Sequence, residues 1–384
     1  MVGMTQKTNA HTSEELKELQ RYPLELKKQL TASRIRELDM KYDFYVSFSG
    51  GKDSAVAVDF TAKILKSLGR KRMYVLNINT GLEYLSVQRF VKLFCEYVSK
   101  KYDIEIILET AYPEMSFVDV IKQYGYPIIS KEVSQCIYEA RKGINPDGTL
   151  NGKYSYRHEK LNGTKLDKNG QLSQYNCPQY KFLLDSPIPV SHICCMKVKK
   201  DPAYVYEKRT CQIPLIATTC EESRNRKTAW LENGCNAFNC ERPKSAPFSF
   251  WTNQDMLHYI YEEKMPIAGA YGSIIPKSAM NGQLNIFEEL QAMDSCELCT
   301  TGCPRTGCVY CLFGITQDPD RILRLQEMEP KRADFVLRGG HFRESDGMWE
   351  PTKDGLGYWY VLDVLNENGI KVPYKNAELY RIAE

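Results

Sequence analysis

The sequence predicts an α/β fold: a doubly wound, mainly parallel sheet followed by a cysteine-rich C-terminal region. Three observations carry this. Short β-rich runs alternate with apolar helical segments between residues 42 and 108, a Ser-Gly-Gly-Lys-Asp-Ser loop joins the first run to the first of those helices, and cysteines crowd between residues 296 and 311. Strand–helix–strand with short links folds as parallel strands joined by right-handed crossovers.

Residues 13–40 place Leu16, Leu19, Leu26, Leu30, Ile35 and Leu38 at helical spacing, broken at Pro23. Two helices are expected, packed on the sheet or on a second copy of the chain. Tyr42–Phe48 reads as the first strand, Ala55–Leu68 as a buried helix stopped at Gly69, and Met73–Ile78 as the second strand. Val87–Lys100 and Ile104–Leu108 continue the alternation, and Pro214–Thr218 supplies a fourth strand. Residues 142–180 are rich in Asn, Gly, Lys and Tyr and are expected to form an inserted hairpin or loop. Phe248–Tyr261 reads as a helix capped by Thr252, with Asp255 in its first turn. Helices are also expected near 320–328 and 375–383. The resulting organisation is N-terminal helices over 1–40, a nucleotide-binding domain over 41–290 with its insertion, and a cysteine-rich and helical region over 291–384.

The chain has 384 residues, 43% hydrophobic and 26% charged, with a formal net charge of +3. That composition supports a sizeable core and does not demand a polyanionic partner. No apolar run is long enough to span a bilayer, and the polar start lacks a signal-peptide core, so a cytoplasmic protein is expected.

The loop Ser49, Gly50, Gly51, Lys52, Asp53 and Ser54 lies between a strand and a helix. Two glycines let backbone approach a ligand closely, and a helix start offers N–H groups and a positive dipole end. Lys52 adds a cation and the serines add hydroxyls, a nest suited to phosphate or sulfate oxygens. The spacing is not that of a Walker loop.

This loop resembles that of the adenine nucleotide alpha-hydrolase superfamily, and specifically its phosphoadenosine phosphosulfate (PAPS) reductase branch. Three further stretches agree with that branch: Asn79-Thr80-Gly81-Leu82-Glu83-Tyr84, Glu222-Ser223 with Arg226, and Pro247–Trp251 continuing through Thr252 to Asp255. The resemblance implies a pyrophosphatase-type (PP-loop) domain that binds ATP or a related adenine nucleotide with Mg²⁺. Thr80, Gly81, Ser223 and Arg226 would join the loop in nucleotide binding, and Lys52, Glu83 and Glu222 would be the catalytic groups. Two departures stand out. Asn79 replaces the usual Asp, and the family's Gly-X-Arg reads Ala217-Thr218-Thr219.

Fourteen cysteines in a reducing compartment point away from disulfides. Cys95 and Cys136 read as buried apolar residues, and Cys235 and Cys240 as structural. Cys194, Cys195, Cys308 and Cys311 resemble the four-cysteine site that holds a [4Fe–4S] cluster in adenylyl-sulfate reductases, with Lys197, Lys199 and Lys200 nearby to temper its charge. Local spacing offers a second set, Cys296, Cys299, Cys308 and Cys311, as a zinc knuckle. Cys303 fits neither set and is either a reactive thiol beside the site or a spare loop residue. His192 is expected to pack.

Two enzymatic readings follow from the resemblance. In one, ATP is attacked at its α-phosphate, pyrophosphate leaves, and the adenylated substrate accepts sulfur. In the other, a sulfonucleotide is reduced by a cysteine nucleophile, but no cysteine follows Cys311 to play the part expected of a C-terminal tail. A third reading is a non-catalytic nucleotide-binding protein. The sulfur acceptor is expected to be a small molecule or a nucleic acid. Arg141, Lys142, Lys153, Arg157 and Lys160 with Tyr154 and Tyr156 would form a basic aromatic surface for the latter, or else a solvated loop. A homodimer through the N-terminal helices is the expected assembly.

Overall fold

A computed structural model describes residues 10–145, 147–281 and 296–381. The domain boundary expected at 290–291 lies outside those residues. The chain divides into two compact units, one of residues 1–112 and 202–307, the other of residues 113–201 and 308–384.

The first unit opens with α1 (Ser13–Arg21) and α2 (Leu24–Lys41). Thr12 and Glu15 form a reciprocal capping box at the start of α1. Pro23 precedes α2 as its N-cap, where a missing N–H costs nothing. Lys27, Thr31, Ile35 and Leu38 form the buried stripe of α2. Lys27 Nζ reaches Asp255 at 2.6 Å and the Gln20 carbonyl at 2.8 Å. Trp251 Nε1 donates to Thr31 Oγ1 at 2.8 Å. Trp251 and Asp255, read in the sequence as part of a nucleotide-enzyme signature, therefore anchor α2. Thr252 caps the helix Asn253–Glu262 in a second capping box, with Asp255 as its partner.

The sheet follows: β1 (Phe44–Ser47), α3 (Lys52–Ser67), β2 (Arg72–Ile78), α4 (Leu85–Tyr102) and β3 (Glu105–Ala111). It has six strands in the order β3, β2, β1, Ile213–Leu215, Lys244–Ser245, Asn236–Ala237. Every neighbouring pair is parallel except the last, so Tyr45 of β1 sits in register between Tyr74 and Pro214. The chain runs outward from β1 on one side through β2 and β3, then returns to β1's other side. Crossovers leaving β1 in opposite directions open a crevice beyond its C-terminal end, the usual ligand position in such sheets.

Helix α3 begins at the loop lysine itself, three residues earlier than its apolar run suggests, and is buried from Ser54 through Ala62. Asp59 is wholly enclosed within it, yet accepts from Lys101 Nζ (3.0 Å), Tyr102 Oη (3.0 Å) and Tyr259 Oη (2.8 Å). Three donors satisfy a carboxylate that burial would otherwise penalise.

In the second unit, a parallel pair joins Ile128–Ile129 to Leu312–Phe313. The insertion is not one hairpin. Two short hairpins, bridged at Ile144–Leu150 and Leu166–Leu172, flank a helix at Ser155–Asn162. Helices at Arg321–Met328 and Ala377–Arg381 match expectation, whereas Pro330–Leu337 and Tyr358–Glu367 add two more. Among the described residues no helix is long and apolar enough to cross a membrane.

Candidate functional site

The loop expected to hold phosphates lies at the C-terminal end of β1, in the crevice of the first unit. Gly50 has φ +75°, and a Cβ there would lie 2.7 Å from Val87 Cγ1. Only glycine meets both conditions. Ser54 Oγ donates to the Gly51 carbonyl (2.9 Å) and lies 3.0 Å from Ser49 Oγ, while the Ser49 amide donates to Ser54 Oγ at 3.2 Å. The serines thus fix the loop's shape. Gly51 is the N-cap of α3 and brings no side chain to cap it, which leaves the helix start open to an anion.

Lys52 does not extend into solvent. It is 3% exposed, and Nζ is held by Asp53 (2.6 Å) and Asn253 (2.7 Å). Asn253 is fixed in turn, its amide donating to Glu221 at 2.6 Å. The Lys52 amide donates to Tyr271 Oη at 3.0 Å, and Tyr271 Oη lies 3.1 Å from Thr306 Oγ1. Asn253, Glu221, Tyr271 and Thr306 were not singled out in the sequence. Nothing local marks them, because four separate chain segments supply the loop's supports.

The segment after β2 is shaped by its own side chains. Thr80 Oγ1 donates to Glu83 Oε1 (2.7 Å) and accepts from the Leu82 amide (3.1 Å). Gly81, at φ +74°, donates to Asn79 Oδ1 at 3.0 Å, so Asn79 closes this turn. Ser223 caps the helix Arg224–Asn233 by accepting from the Arg226 amide. Glu222 pairs with Arg305 at 2.9 Å and lies against Arg226. Arg226 is close enough to Asp53 and Arg305 to feel both charges. Burial pulls its pKa down first, Arg305 adds to that, and Asp53 opposes it. Glu222 and Arg226 therefore adjoin the loop, while Glu83 is fixed through Thr80.

In the second unit, Cys194, Cys195, Cys308 and Cys311 are electrostatic neighbours. Burial, then Cys195, Cys311 and Cys308, push the Cys194 thiol well up. Burial and Cys308 push Cys311 to about 12. The Cys311 amide donates to the Cys308 carbonyl (3.1 Å), and Arg321 donates to the Cys311 carbonyl (2.6 Å). Among the described residues no three His, Cys, Asp or Glu side chains converge to hold a metal.

The alternative set is divided: Cys296 and Cys299 belong to the first unit, Cys308 and Cys311 to the second. Cys299 lies on the strand Leu298–Thr300, in register with Ile275. Cys303 is buried in the first unit, its thiol 3.5 Å from Tyr84 Oη. Cys240 donates to the Ala237 and Arg242 carbonyls, a structural role as expected. His192 packs edge-on against Tyr138.

The basic surface expected on the insertion is largely engaged inward. Arg141 donates to the Leu183, Leu184, Ser186 and Ile188 carbonyls, and burial lowers its pKa to about 10. Arg157 pairs with Glu132 and Glu139, and Lys160 with Glu132.

No protein-family model matches the chain, and no curated protein does. Among solved structures, the phosphate complex of phosphoadenylyl-sulfate (PAPS) reductase from Candida auris is similar at 12% identity and a TM-score of 0.33, covering 68% of this chain and 91% of that one. A likeness of that size defines neither fold nor activity. The fold is read from the sheet order.

Proposed function

We propose that the protein is a PP-loop enzyme that binds an adenine nucleotide in the crevice beyond β1 and activates a substrate by attack on the α-phosphate of ATP. The observation that carries this reading is the glycine loop placed at the sheet's switch point, with a helix start behind it to which the N-cap Gly51 brings no side chain. An acceptor oxygen would bond to the α-phosphorus as the bond to the β-phosphate breaks and pyrophosphate leaves. Amides at the start of α3 would stabilise the charge that develops on the phosphate oxygens. Lys52 Nζ is held at the helix start by Asp53 and Asn253.

Glu83 and Glu222 are carboxylates of the kind that would hold Mg²⁺, whose charge would offset that of the phosphates. The four thiols of the second unit suit a [4Fe–4S] cluster in donor type and number, and a cluster there would supply electron or sulfur transfer. In the step proposed to follow, a sulfide-level sulfur nucleophile would bond to the activated carbon of the adenylated substrate as its bond to the AMP oxygen breaks and AMP leaves, with a small molecule or nucleic acid as acceptor and a cytoplasmic setting. A homodimer through the N-terminal helices remains part of the proposal.

Incubation with ATP and, separately, with adenylyl sulfate tests the reading. Saturable ATP binding, with pyrophosphate released in the presence of acceptor, supports it. Sulfite released from adenylyl sulfate would establish a sulfonucleotide reductase instead, and binding without turnover a nucleotide-binding protein.

A further inference from the structure

The arginine missing from Ala217-Thr218-Thr219 has a spatial counterpart. Arg305 lies in the segment between Cys303 and Cys308, whose composition suggests only metal binding. Its guanidinium donates to Glu222 at 2.9 Å. The next residue, Thr306, contacts Tyr271 Oη, which accepts from the Lys52 amide. A Cβ on Gly51 would meet Tyr271 Oη at 3.2 Å and Thr306 Oγ1 at 3.8 Å. The segment is therefore docked against the phosphate loop itself, and Arg305 stands beside it.

Arg226 lies against Glu222 as well and feels the charge of Arg305. Two guanidinia crowd around one carboxylate, with Arg305 65% exposed and Glu222 18% exposed. Like charges this close repel unless an anion lies between them. A single carboxylate has two oxygens to offer, whereas a terminal phosphate or pyrophosphate offers more oxygens and more charge. Arginine forks match such groups in two-point contacts.

We infer that Arg305, with Arg226, grips the β- and γ-phosphates of the nucleotide, and that Glu222 is the internal anion they exchange for it. This rests on the nucleotide reading above and adds a residue and a specificity: triphosphates and pyrophosphate over monophosphates. Glu222 is then released at the moment the phosphates arrive, which frees its carboxylate beside the reacting group.

The test is titration calorimetry of the full chain with ATP, AMP and inorganic pyrophosphate. Arg305→Ala, on an exposed side chain, should weaken ATP and pyrophosphate about ten-fold and leave AMP unchanged, the loss expected of one charge-assisted contact. Arg305→Lys should recover part of that loss. Glu222→Gln should tighten pyrophosphate by removing its competitor. Equal losses for AMP and ATP, or unchanged pyrophosphate binding in Arg305→Ala, would overturn the assignment. So would failure of Glu222→Gln to tighten it. Wild-type protein that binds pyrophosphate but no nucleotide would instead defeat the nucleotide reading and leave the arginine grip standing. Wild-type protein that binds neither would defeat both.

Discussion

Tyr271 Oη caps helix α3 in place of a side chain from the loop, accepting from the Lys52 amide at 3.0 Å. The tyrosine is 219 residues away in sequence. It occupies one of the orphan N–H groups at the helix start, and an anion would be directed towards the others. Tyr271→Phe should lower stability by about 1 kcal/mol, the usual worth of such a bond. Nucleotide binding should persist. Thermal melts with and without ATP check both statements, and loss of binding would place Tyr271 in the grip itself.

Lys52→Ala should reduce nucleotide affinity by about ten-fold or more. The fold should survive at a cost, because Asp53 and Asn253 both lose their partner. About 1–3 kcal/mol is expected for groups left unsatisfied in a largely enclosed site. Circular dichroism with calorimetry separates the two effects. Unchanged affinity would remove Lys52 from the site.

Asp59 is the clearest stability determinant of the first unit. Asp59→Ala leaves Lys101 without one of its two carboxylates and Tyr102 and Tyr259 without their acceptor. Breaking such a buried network should cost about 3–5 kcal/mol in denaturant unfolding. A loss below about 1 kcal/mol would show that the network adds little.

The insertion should loosen in acid. Burial tends to raise the Glu139 pKa, but hydrogen bonds from Gln135, Arg157 and Tyr156 prevail and hold it below its ordinary 4.5. A depressed carboxylate pKa stabilises the fold above the unfolded value, and that contribution fades as pH falls through the folded one. Hydrogen-exchange protection across Ser155–Asn162, taken relative to the intrinsic rate at each pH, should therefore fall below pH 4.5. Glu139→Gln should flatten that dependence, and an unaltered profile would assign the acid sensitivity elsewhere.

Anaerobically purified protein should be brown and contain iron and sulfide, with both lost in Cys308→Ser and kept in Cys296→Ser. Colourless protein carrying one zinc that Cys296→Ser releases would establish the other ligand set. The nucleotide site would stand in either case, since its loop uses no cysteine.

The alternation of strands and helices from residue 42 to 111, the break at Pro23, the Thr252 cap and the glycine loop were all legible in the sequence. Each depends on local chemistry: periodic burial, a missing N–H, a cap three residues from its partner, backbone without a Cβ. The supports of the loop were not legible, because Tyr271, Asn253, Thr306 and Arg305 reach it from distant segments. Arg141 and Arg157 look like surface cations in sequence, and only tertiary packing turns them inward onto carbonyls and carboxylates. The same division applies to Trp251 and Asp255, whose motif is visible in the chain but whose role in holding α2 is not. Local rules determine which backbone can form. Which charge meets which partner depends on three-dimensional proximity, and a one-dimensional pattern carries no record of that.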